Sequence, residues 1–139
     1  MDLSRFVEAQ QNVYADALAE LKAGRKTSHW MWFIFPQIAG LGRSPTAQVY
    51  ALASLDEARA YLDHPTLGPR LAEAATGALQ HRDKSAEAIF GPTDAMKFRS
   101  SMTLFEAASD TPGPFTEALD AFYAGARDPA TLRILEEMA

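Results

Sequence analysis

One stretch constrains this chain more than any other. It reads Ser28-His29-Trp30-Met31-Trp32-Phe33-Ile34-Phe35-Pro36-Gln37, holds both tryptophans, and runs six large apolar residues without a charge or a glycine. Burying each such side chain contributes about 1.5–3 kcal/mol. Together they rival the net stability of a small domain, about 5–15 kcal/mol. Left in water, the same segment would template aggregation, so the fold must cover it. Because the run is apolar all round, periodicity does not separate strand from helix. Its surroundings favour helix: no alternating, hairpin-linked partner strand is found, Ser28 suits a cap and Pro36 a stop. A helix apolar on every side is a central one, with Trp32, Phe33 and Ile34 as core. His29 and Gln37 then mark the polar tips of a buried rod.

The rest of the chain carries helix signals. Asp2 or Ser4 suits the cap of a first helix bearing Phe6, Val13, Tyr14, Ala17, Leu18 and Leu21, which Gly24 ends. Ser44-Pro45 opens a short helix through Tyr50 and Leu52. Ser54 with Glu57 forms a capping box ahead of Leu55, Ala58 and Leu62. After the corner "DHPTLGP", Leu67, Leu71, Ala74, Ala75, Ala78 and Leu79 trace one helical stripe. Ser85 caps a turn ending at Phe90-Gly91, and Thr93 caps a helix with Phe98, Met102 and Phe105 inward. The loop "SDTPGP" precedes a helix bearing Phe115, Leu119, Phe122 and Tyr123. Asp128-Pro129 starts the last helix, with Leu132, Leu135 and Met138. The expectation is a compact, all-α, multihelical single domain over residues 1–139, built around a buried central aromatic helix.

Composition bounds the function. Zero cysteines exclude disulfides, thiolate metal sites and a cysteine nucleophile. A net charge of −5 argues against a nucleic-acid binder, which needs clustered cations. The run is far shorter than the roughly 20 residues that cross a bilayer, and "MDLSRFVEAQ" lacks the pattern of a secretory signal. No membrane association and a cytoplasmic location are expected. His29, His64 and His81 show no ligand spacing, so neither metal nor cofactor is expected.

Three extended blocks look like the signature blocks of a known family: "SHWMWFIFPQIAGLGRS", "YLDHPTLGPRL" and "IFGPTDAMKFRSSMTLF". In them the chain resembles a bacterial family catalogued as domain of unknown function 1810, often labelled calpastatin in genomes. The resemblance spans nearly the whole chain and implies an all-α fold with central buried helices and no established activity. Calpain-inhibitor repeats belong to long disordered polar chains, whereas this one is rich in core residues and caps. A fainter likeness is to helical glycosidases acting on N-glycosidic bonds of ADP-ribose-type and riboflavin-pathway compounds, loosely echoed by "AMKFRSSMTLF". It carries no residue-by-residue assignment.

The candidate chemistry lies around the run and the third block. On a helix, Lys97 lies one turn from Ser100 and Ser101. A desolvated lysine can activate a serine, anchor an anion, or simply pack. Ser100 and Ser101 in mid-helix call for an offsetting gain, from close packing or from ligand contacts. Gly40 and Gly42 ahead of Ser44 let backbone amides approach an anion, with a helix N-terminus behind them. The reading is one concave site for a small anionic, nucleotide-like ligand. Lys26, Trp30, Gln37, Gly40, Gly42, Ser44 and Ser100 would bind it. His29, either a structural histidine or an acid/base, would join Lys97 and Ser101 if the protein is a hydrolase or glycosidase. The alternative is a non-catalytic protein-interaction or regulatory module.

Overall fold

Short local signals start most of the helices in the computed structural model, which describes residues 1–138. Ser44, Ser54 and Ser85 each accept a hydrogen bond at 3.1 Å from the amide three residues on. They open α4 (Pro45–Tyr50), α5 (Leu55–Asp63) and α7 (Ala86–Phe90). Glu57 closes its box by accepting from the amide of Ala53 at 2.9 Å. Asp128 does the same for α10 (Pro129–Met138), accepting from the Thr131 amide at 3.1 Å. α6 (Leu67–Leu79) follows the apolar stripe, and Nδ1 of His64 caps it by accepting from the amides of Thr66 and Leu67 at 3.1 and 3.2 Å.

Several boundaries differ from the sequence reading: the chain enters its first helix from Leu3, not from a capping Asp2 or Ser4, and α4 stops at Tyr50, short of Leu52. The first helix is two, α1 (Ser4–Gln10) and α2 (Tyr14–Ala23), because the chain turns between them so that Gln10 can enter the core. There its amide donates to the carbonyl of Phe33 and to the Tyr61 hydroxyl, at 2.7 and 3.0 Å. The aromatic run forms a single turn, α3 (Met31–Ile34), entered from Trp30 and not from Ser28. Thr93 lies inside α8 (Pro92–Ala108), whose N-cap is Gly91. α9 (Pro114–Tyr123) completes ten helices among the described residues. An isolated parallel bridge, Ile38 to Leu52, ties the run's exit to the end of α4.

The run does sit in the core: Trp30, Met31, Ile34 and Phe35 are buried. Trp32 and Phe33 are only partly covered, because one four-residue turn cannot turn every face inward. α8 is the helix most enclosed, in its middle turns. It packs against α3, α5, α7, α9 and α10, and every residue from Ser100 to Phe105 is buried. Phe98 carries the contact with the run. Its ring stacks on Phe90 at 4.5 Å and meets Phe35 edge-on at 4.8 Å.

Small hydroxyls make this enclosure feasible, because they return their hydrogen bonds to their own helix. The single Ser100 hydroxyl proton lies between the Met96 carbonyl at 3.1 Å and Asp128 Oδ2 at 3.0 Å, and Thr103 donates to the Arg99 carbonyl at 2.8 Å. Ser101 does not: its buried Oγ has no hydrogen-bond partner among the described residues. An unpaired buried hydroxyl costs about 1–3 kcal/mol. Ser101→Ala should therefore raise stability by about 1 kcal/mol in urea unfolding, against a loss for Ser100→Ala.

The start of α10 is clamped onto α8. Arg127 pairs in a bidentate fork with Glu106, at 2.8 and 2.6 Å, and Arg99 donates to the carbonyls of Ala126 and Arg127. The guanidinium holds the Glu106 carboxyl below the usual range against its desolvation, with help from the Thr116 hydroxyl. The clamp fixes where Asp128 stands.

Candidate functional site

Two clefts flank the N-terminal half of α8, one at each polar tip of the aromatic run. The first, about 300 Å³, is lined by Lys26, His29, Met31, Trp32 and the stretch from Phe90 to Asp94. The second, about 290 Å³, is lined by Gln37, Leu41 and Gly42, by Met96, Lys97 and Ser100 of α8, and by Asp128 and Ala130. Thr93 borders both. A larger concavity of about 450 Å³ lies along Arg59, Asp63 and the loop before α9. Its arginine is paired along its own helix with exposed Asp56.

Between the two clefts runs a short chain of charges. Asp94 Oδ2 meets the Lys26 ammonium at 2.9 Å, and its Oδ1 meets that of Lys97 at 3.6 Å. Two cations thus share one carboxylate. Each also lies over an indole: Lys26 is 4.9 Å from the Trp30 ring centre and Lys97 is 4.8 Å from that of Trp32. The Lys26 side chain is 6% exposed, and its ammonium also donates to the Ser28 carbonyl. Such a group is poorly screened by water, so its field reaches the cleft. The first turn of α8 adds to it: Thr93 and Asp94 carry amides that the helix cannot satisfy internally, and the dipole's positive end lies there.

Glu20 on α2 holds the segment that carries Lys26 and His29. Its Oε1 accepts from the amides of Thr27 and Ser28 and from the indole N–H of Trp30, at 2.7, 2.9 and 3.1 Å. Burial opposes its ionisation, but these bonds and one from the Ser28 side chain win, taking its pKa from an ordinary 4.5 down to about 2. A depressed carboxylate contributes stability that is present above its unfolded pKa and lost as pH falls through the folded one. That contribution should fade between pH 4.5 and about 2. Glu20→Gln should flatten this part of the stability profile and lower stability at neutral pH, as read by urea midpoints across pH.

The structure brings Lys26 and His29 to the first cleft, and Gln37, Gly42, Lys97 and Ser100 to the second. Trp30 is fully buried beneath Lys26 and backs the site without lining it. Ser101 is fully buried and borders neither cleft. Gly40 is exposed, with φ +105°, and Ser44 caps its own helix; neither borders a cleft. Gly42 answers to packing, since a Cβ there would stand 2.5 Å from that of Ala47. Asp94, Thr93 and Asp128 are not among the site residues expected from the sequence, where Thr93 and Asp128 figure only as helix starts. Asp94 had a local signal in its i,i+3 spacing from Lys97, whereas its pairing with Lys26 depends on the tertiary fold. Among the described residues, no group of three or more histidines, aspartates and glutamates is gathered as a metal would need, and no helix is long and apolar enough to cross a membrane.

Comparison with known proteins agrees with this architecture and attaches no activity to it. No curated protein matches the chain. The crystal structure of the conserved hypothetical protein Rv1873 from Mycobacterium tuberculosis matches it with a TM-score of 0.95 and 50% sequence identity. The match covers 97% of this chain and 96% of that one. Residues 1–135 match the family described as "Protein of unknown function (DUF1810)", and the chain belongs to that family.

Proposed function

We propose that the protein binds a small anionic, nucleotide-like ligand in the first cleft, against Lys26 and the first turn of α8, with Lys97 of the second cleft reaching it across the shared Asp94. The observation that carries this reading is the shared carboxylate. Asp94 answers two ammonium groups at once, at 2.9 and 3.6 Å, which leaves a net positive charge beside a half-open aromatic wall. Charge balance at Asp94 needs only one of the two cations. An anion entering the cleft would meet the surplus charge and free first-turn amides, with Trp32 available for stacking. His29 lines the same cleft and is the acid/base candidate if the bound ligand is hydrolysed.

The test is a melting screen with ADP-ribose, NAD and nucleoside monophosphates, followed by calorimetric titration. At a ligand concentration 100 times its Kd, binding stabilises by about 2.7 kcal/mol, a readily measured shift. Lys97→Ala should weaken binding about tenfold or more while leaving the unliganded melting point nearly unchanged, because its ammonium is the outer of the two. If no anion moves the melting temperature of the wild type, the reading is lost.

A second reading, an interaction module, is favoured by α10, where Leu132 and Met138 are exposed. It would be supported by self-association or partner binding that Leu132→Glu abolishes.

A further inference from the structure

We propose that the second cleft holds the hydroxyl-bearing part of the same ligand, so that the site as a whole takes a phosphorylated polyol or sugar and not a bare anion. This rests on the anion-binding reading and extends it across the ridge.

The two clefts are not independent. Thr93 borders both, and the Asp94–Lys97 pair links the first to the second. A ligand whose anionic group is held at Lys97 therefore has its remaining atoms directed into one cleft or the other. In the first cleft Trp32, Phe90, Gly91 and Pro92 form an apolar wall, and Lys26 and Asp94 are already paired with each other, leaving His29 and Thr93 as its other polar groups. The second offers hydrogen-bonding groups with capacity to spare.

Asp128 is the clearest of these. Its Oδ2 is saturated, accepting from the Ser100 hydroxyl at 3.0 Å, the Thr131 amide at 3.1 Å and the Thr131 hydroxyl at 2.5 Å. Among the described residues its Oδ1 has no hydrogen-bond partner, and it is not sealed from solvent. The carboxylate is thus locked in orientation by three donors on one oxygen, with the other left as a pure acceptor. Asp128 itself is pinned from behind by its amide, which donates to Thr103 Oγ1 at 2.9 Å, and by the Arg99 and Arg127 clamps. Pre-organisation of this kind lowers the entropic cost of binding.

Gln37 borders the same cleft and its side-chain amide also has no partner among the described residues, so it adds both donor and acceptor capacity. Leu41, Met96 and Ala130 supply apolar surface for the carbon skeleton, and Met96 is 73% exposed, free to fold over a bound ring. An oriented acceptor, an amide and an apolar floor within reach of a lysine match vicinal hydroxyls on a small carbon frame that ends in a phosphate. A bare anion would gain nothing from Asp128, whose charge repels it.

Calorimetric or NMR titration of the whole protein with inorganic phosphate and with ribose 5-phosphate decides the matter. The expected result is that ribose 5-phosphate binds at least tenfold more tightly than phosphate. Asp128→Asn should erase that difference, with phosphate itself bound as tightly or slightly more tightly once the repelling charge is gone. The asparagine oxygen would keep the three existing donors and turn an NH₂ toward the cleft, so the fold survives while the acceptor is lost. Lys97→Ala should weaken both ligands. Equal binding of the two by the wild type, or a difference that persists in Asp128→Asn, overturns this inference and leaves the anion site standing. If neither ligand binds, and no anion does, both readings fall together.

Discussion

Gly68→Ala should cost about 3–4 kcal/mol, a large part of the stability margin of a domain this size. A Cβ built at Gly68 would stand 2.0 Å from the Leu62 carbonyl oxygen and 2.9 Å from its carbon. Both are backbone atoms at the end of α5, so no side chain can rotate away to make room. The corner between α5 and α6 must open instead. With it would go the bond from the Gly68 amide to the His64 carbonyl at 3.1 Å, and the two capping bonds that His64 Nδ1 accepts. Overpacking that forces backbone shifts costs about 1–3 kcal/mol or more, and each lost hydrogen bond adds about 1 kcal/mol. Gly77, on the same helix, is the control. A Cβ there would meet Leu18 and Leu21 at 3.5 and 3.6 Å, ordinary contact distances. Gly77→Ala should be neutral or stabilising by up to about 1 kcal/mol, from the helix propensity gained. Urea unfolding of both variants separates a steric glycine from an incidental one. Equal midpoints would show that the corner does not need the close approach.

Phe98→Ala should be comparably damaging, about 3–5 kcal/mol. Phe98 is fully buried and joins elements that are distant in the chain: Phe35 beyond α3, Phe90 at the end of α7, and Phe122 and Tyr123 of α9, the last two at 6.1 and 6.5 Å. Truncation leaves a cavity whose walls belong to four elements, and rigid helices cannot all close on it. Trp32→Ala is the contrast. Its ring is partly exposed beneath Lys97, so it should lose only a fraction of the about 1.5–3 kcal/mol that full burial of a large side chain supplies. If thermal unfolding showed Trp32→Ala to be the costlier change, Trp32 would be core and not the wall of a binding cleft.

These two predictions mark where reading the sequence succeeds and where it stops. Helix starts were legible at Ser44, Ser54, Ser85 and Asp128, because a cap is satisfied within three residues of itself. The α6 stripe was legible because one face of that helix is buried over its whole length. Thr93 misled as a cap, since Pro92 at the first helical position already opens α8 and Gly91 supplies the entry geometry. The candidate site was legible in pieces. His29 and Gln37 do end the aromatic run beside concave surface, and Lys97 does face a cleft, but they divide between two clefts.

By itself, the sequence determined that this chain is all-helical, that the tryptophan-rich run goes inside, and where most helices begin. Those outcomes depend on burial and on bonds between near neighbours, which composition and spacing carry directly. Only the tertiary structure decided that the middle turns of α8, not the run, are enclosed all round, that Ser101 faces core while Ser100 meets Asp128, and that Lys26 reaches Asp94. Each of these depends on which helices meet and at what separation, and that is set by the packing of all the side chains together.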